Sequence, residues 1–61
     1  MEEIVRVVEE QRIGRFMFQI VESKYEFGTH YVLVTDGEPG FHSIDLERVQ
    51  NYLKSIAKSM A

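Results

Sequence analysis

The chain has no cysteine and no tryptophan, a single proline and only four glycines in 61 residues. Without cysteine, disulfides and thiolate metal sites are excluded. Its two histidines, His30 and His42, could not close a zinc site without carboxylate help. No metal and no cofactor are therefore expected. No apolar run approaches the roughly 18 residues of a membrane span. The opening Met1-Glu2-Glu3 is acidic where a signal peptide would be basic, so a cytoplasmic protein is expected. No repeat, low-complexity stretch or linker divides the chain, and the length suits one small α+β domain over residues 1–61.

A basic excess is lacking too. The formal charge is -3, from seven Lys and Arg against ten Asp and Glu. Residues 1–42 carry -4 and residues 43–61 carry +1. Neither part offers the cationic surface that phosphate neutralisation demands, so nucleic-acid binding is not expected. The hydrophobic fraction, 44%, is that of a chain able to bury a core rather than a disordered one.

Four segments emerge between Ile13-Gly14, Ser23–Gly28 and Asp36–Gly40. The first, Ile4–Arg12, holds Ile4, Val5, Val7 and Val8. These β-branched residues favour a strand. A helix is the alternative, with Ile4, Val5 and Val8 on one face and Glu2-Glu3 at its N-terminus. The second segment, Arg15–Glu22, alternates Phe16, Phe18 and Ile20 against Met17, Gln19 and Val21 and predicts a strand. Gly14 suits a tight hairpin between the two. Ser23–Gly28 reads as a loop, and Thr29–Thr35 as a third strand with Tyr31 and Leu33 opposite Val32 and Val34. Pro39-Gly40 fits the centre of a type II turn.

From about residue 44 the period becomes helical. Leu46, Val49, Leu53, Ile56 and Met60 recur at spacings of three and four, flanked by Tyr52 and Ala57. Asp45 suits the N-cap, with Ser43 as the alternative and Ile44–Val49 as a hydrophobic staple. The expected fold is a three-stranded antiparallel meander with one C-terminal amphipathic helix packed on one face, β-β-β-α. The alternative is α-β-β-β-α, which resembles double-stranded-RNA-binding domains in outline only. Ser43, Asp45 and Glu47 stand where such a domain would have a basic helix start.

Both faces of the expected sheet are apolar. Phe16, Phe18, Ile20, Tyr31 and Leu33 form one; Val5, Val7, Met17, Val21, Val32 and Val34 form the other. An antiparallel sheet wetted on its second face should alternate apolar with polar residues. The second set is therefore the candidate self-association surface, through which two copies would pair as a homodimer. Another protein is the other partner class, and no membrane contact is expected.

Local chemistry is sparse. Phe41, His42, Ser43 and Asp45 cluster where strand gives way to helix, and a helix N-terminus attracts anions, so they form the candidate ligand site. No glycine-rich phosphate loop accompanies them. Asp36 and Glu38 read as turn chemistry, because a calcium loop needs more oxygen ligands at wider spacing. No catalytic constellation is present around His30 or elsewhere, so an enzyme is not expected. The expected function is a small protein-interaction or scaffold module that self-associates through the open face of its sheet. The alternative is a small-molecule or anion binder using residues 41–45.

Overall fold

The computed structural model describes residues 3–60; Met1 and Glu2 of the acidic opening lie outside the described residues, as does Ala61. Four strands run β1 (Glu3–Ile13), β2 (Phe16–Tyr25), β3 (Gly28–Thr35) and β4 (Glu38–Ser43), followed by α1 (Leu46–Met60). They form one antiparallel sheet in the order β1-β2-β3-β4. The fold is the expected α+β meander with a C-terminal helix, enlarged by a fourth short strand. The first segment is a strand throughout its described length, which removes the α-β-β-β-α alternative.

Three two-residue turns join the strands. Gly14 takes φ 62 between the paired residues Ile13 and Phe16, the positive angle that a type II′ hairpin requires at its first central position. The expected loop over Ser23–Gly28 is a correction: β2 continues to Tyr25, which pairs with Gly28, leaving only Glu26 and Phe27 in the turn. Ser23 stays in the strand because it pairs with His30 and its buried hydroxyl donates to the Glu3 carbonyl at 3.3 Å. Burying the hydroxyl is tolerated because it is satisfied.

The Pro39-Gly40 turn is also corrected. The chain reverses at Asp36-Gly37, with φ 49 and 85, between the paired residues Thr35 and Glu38. Two positive angles are the signature of a type I′ hairpin, for which Asp-Gly is among the favoured pairs. The Asp36 carboxylate accepts from the Met17 amide at 2.9 Å, and the Asp36 amide donates to the Met17 carbonyl at 2.9 Å. Pro39 instead lies on the edge strand β4 opposite Val34, where a missing N–H is tolerated. Gly40 and Phe41 then face the single residue Leu33 in a bulge. A Cβ on Gly40 would stand 3.5 Å from the Leu33 carbonyl oxygen, an ordinary contact.

α1 closes one face. Val49 and Leu53 are fully buried against Phe18, Ile20 and Leu33, with Val8, Ile13, Phe16, Tyr31, Leu46 and Ile56 around them. Asp45 caps the helix: its carboxylate accepts from the Glu47 amide at 3.0 Å, while the Ser43 hydroxyl accepts from the Asp45 amide at 3.1 Å. The expected staple is replaced. Ile44 is 75% exposed and lies outside the core that holds Val49. Phe41 takes the flanking position, its ring stacked on Tyr52 at 4.4 Å and 5°.

β1 shifts register twice, between Ile4 and Arg6 and between Val7 and Glu9. Each shift inserts an extra residue and so resets which side chains share a face. Val8 thereby joins the core beneath α1, while Ile4 and Val7 lie opposite Ser23 and Val21 on the other face.

Leu53→Ala removes a fully buried side chain at the helix–sheet junction. It is expected to cost about 2–5 kcal/mol, seen as a lower urea midpoint, whereas Lys54→Ala on the exposed side should change stability by less than about 0.5 kcal/mol. Asp36→Ala loses the link to Met17 and places alanine at positive φ; a loss of about 1–2 kcal/mol is expected. Asp36→Asn, which keeps an acceptor and tolerates that angle, should recover most of it in the same titration.

Candidate functional site

The face away from α1 is built from alternate positions of all four strands. Its central row runs Val7, Val21, Val32 and His42; the next row holds Ile4, Ser23 and His30. Val34 and Pro39 extend it toward the Asp36-Gly37 turn, and Glu10 and Gln19 mark its polar limit, joined by a 2.8 Å hydrogen bond. Five of the six expected self-association residues share this face: Val7, Met17, Val21, Val32 and Val34. Val5 falls at the first register shift of β1 and has no cross-strand partner in the ladder.

The face is hollow rather than flat. Ile4 on one edge strand and Pro39 on the other line the same depression of about 200 Å³, together with Val21, Ser23, Val32 and Val34. Side chains on opposite edges border one hollow, so the sheet curls toward this side, as bulges in β1 and β4 favour. Ser23, Val21 and Val32 are buried at its floor although no helix covers them. The rim is exposed: Ile4 is 64% and Val7 50% accessible.

Beside it, sharing Val32 and Pro39, a second groove of about 570 Å³ is lined by Tyr25, His30, Gly40, His42 and Ile44 as well. Three rings cross the strands here. His30 meets Tyr25 edge-on at 4.7 Å and 70°, and His42 lies 5.8 Å from His30 at 71°. Phe27, at the tip of the β2–β3 turn and 86% exposed, meets Tyr25 at 6.5 Å. The groove is thus aromatic and apolar, with two imidazoles among its lining residues.

The expected ligand cluster is divided between the two faces. Phe41 lies on the helix side against Tyr52. Ser43 and Asp45 are engaged in capping, so the amides nearest the helix start already have acceptors from the chain itself. His42 alone of the four lines the groove on the far side. Tyr25, His30, Pro39 and Ile44 join it there, and sequence reasoning had not grouped them. The turn alone would not have grouped the two histidines: a regular hairpin at Asp36-Gly37 would set His42 opposite Tyr31, and only the bulge at Gly40 and Phe41 brings it opposite Val32, on the side of His30.

Among the described residues, no three His, Cys, Asp or Glu side chains converge as a metal centre. No described helix is long and apolar enough to cross a membrane. Comparison with known proteins finds no matching family, no matching curated protein and no matching solved structure.

The division of the corner between two faces is testable by NMR. His42→Ala is expected to move the ring resonances of Tyr25 and His30 and leave Tyr52 unchanged. Phe41→Ala should do the reverse. Coupled shifts at Tyr25 and Tyr52 in both variants would contradict this placement.

Proposed function

We propose that this protein is a small interaction module that self-associates through the uncovered face of its sheet. The observation that supports the reading is the apolar surface opposite α1, bounded by Ile4, Val7 and Ile44 and floored by Val21 and Val32. Covering Ile4, Val7 and Ile44 would gain on the order of a few kcal/mol from burial alone.

The molecule is elongated, 37 × 19 × 15 Å, and a second copy laid along the long axis would cover the apolar part of this face, where a standard interface takes ~800 Å² from each partner. Its accessible surface is 4526 Å², against about 4,100 Å² expected for a compact monomer of 7.2 kDa. Its radius of gyration is 11.4 Å, against about 10.5 Å for a compact chain of this length. Both excesses accord with an elongated molecule whose sheet is covered by a helix on one face. A two-fold pairing of like faces would bury the other face in a helix–sheet–sheet–helix stack. A reducing compartment such as the cytoplasm suits a chain free of cysteine.

Light scattering after size exclusion tests this over a wide concentration range. The expected mass is twice 7.2 kDa. Val7→Glu with Ile44→Glu, both at exposed positions, should return it to the monomer value with an unchanged far-ultraviolet circular dichroism spectrum. A wild-type chain that stays monomeric at every concentration, or a double variant that stays dimeric, would sink the reading.

A further inference from the structure

The uncovered face of the sheet is poor in charge. Of the described residues paired on it, only Glu10 and Arg12 carry a full charge, both on β1 toward the Gly14 turn. The central row of Val7, Val21 and Val32 is aliphatic until it reaches β4, where it ends in His42. That imidazole is exposed and lines the groove with Val32, Pro39, Gly40 and Ile44.

The titratable groups that face His42 are few. Tyr25 of β2 and His30 of β3 share the groove with it, and no described carboxylate, lysine or arginine is among the lining residues. α1 packs on the other face. Glu38, on the same strand, pairs with Thr35, two residues along β3 from the core residue Leu33 and so on the helix side. The Asp45 carboxylate is taken up by the Glu47 amide at the helix cap. A cationic His42 would therefore depend on water for its solvation rather than on a described acidic partner.

Imidazole is the side chain that ordinarily changes charge between pH 5 and 8. Covering it with an apolar layer removes its water and disfavours the charged form. We propose that self-association through this face is gated by pH: two copies pair when His42 is neutral, and protonation of His42 releases them. This rests on the self-association reading and adds a regulation to it. Assembly takes up the neutral imidazole, so it is favoured at pH values above the imidazole range and lost as the pH falls through that range. Two-fold pairing brings one His42 from each copy, so two protons act together.

Sedimentation equilibrium between about pH 8 and about pH 5.5 tests the gate, a window that spans the imidazole range and stays above the ordinary carboxylate range near ~4. An imidazole that titrates near ~6.5 and must be neutral to assemble contributes ~10-fold at the acid end, and a pair of them ~100-fold. The wild-type dissociation constant is therefore expected to rise by at least ~10-fold. His42→Leu should remain dimeric at the acid end, and His42→Lys should be weakened already at neutral pH. Circular dichroism at each pH follows the fold. A wild-type dimer equally tight across the window would overturn the gate and leave the self-association reading standing. A His42→Leu dimer as acid-sensitive as the wild type would also overturn it, as would dissociation accompanied by loss of the circular dichroism signal. A wild-type chain that is monomeric at every pH removes the self-association reading itself, and the gate with it.

Discussion

Val49 and Leu53 of α1 press into the surface made by Phe18, Ile20 and Leu33, and the rest of the molecule depends on that contact. A chain with no disulfide has few other ways to hold a four-stranded sheet in one shape. The helix is amphipathic and only one stripe of it is apolar, so it can close one face and no more. The Asp45 cap and the Phe41–Tyr52 stack hold its first turns in register with β4. Surface ion pairing adds little by comparison: Arg6 and Glu22 meet at 2.9 Å, but Arg6 is largely exposed.

One helix on a two-faced sheet has a direct consequence. The second face must be solvated, curled on itself or covered by something else. The structure shows partial curling: Val21, Val32 and Ser23 are buried in a hollow bordered by both edge strands. The rim residues Ile4, Val7 and Ile44 remain exposed, and this remainder is what the self-association proposal addresses. The edges are less inviting for strand addition. β4 carries Pro39 and a bulge, and β1 carries charged residues and two register shifts. These are devices that discourage edge-to-edge pairing, which leaves the face as the surface offered for contact.

Small departures from regular pairing decide what lies together on that face. The bulge opposite Leu33 sends Phe41 to the helix side and His42 to the groove side, although they are neighbours in the chain. The same device in β1 moves Val8 under the helix and leaves Ile4 and Val7 on the open side. A corner that looks like one cluster along the chain is therefore two half-clusters on opposite faces.

The chain alone determined the strand character of Phe16–Val21 and Thr29–Thr35, the helix with its stripe at Leu46, Val49, Leu53 and Ile56, and the presence of two apolar sheet faces. Each of these is written in a local period of two or of 3.6, and local periods survive without knowledge of partners. Asp36-Gly37 was legible as a hairpin turn as well, but Pro39-Gly40 carried a competing turn signature three residues later and hid β4. Only the tertiary structure decided that Ser23 is a buried strand residue, that Ile44 leaves the core and that His30 meets His42. Those facts depend on the register of four strands. Register is set by bulges and by the fit of side chains from distant segments, neither of which any single stretch of sequence contains.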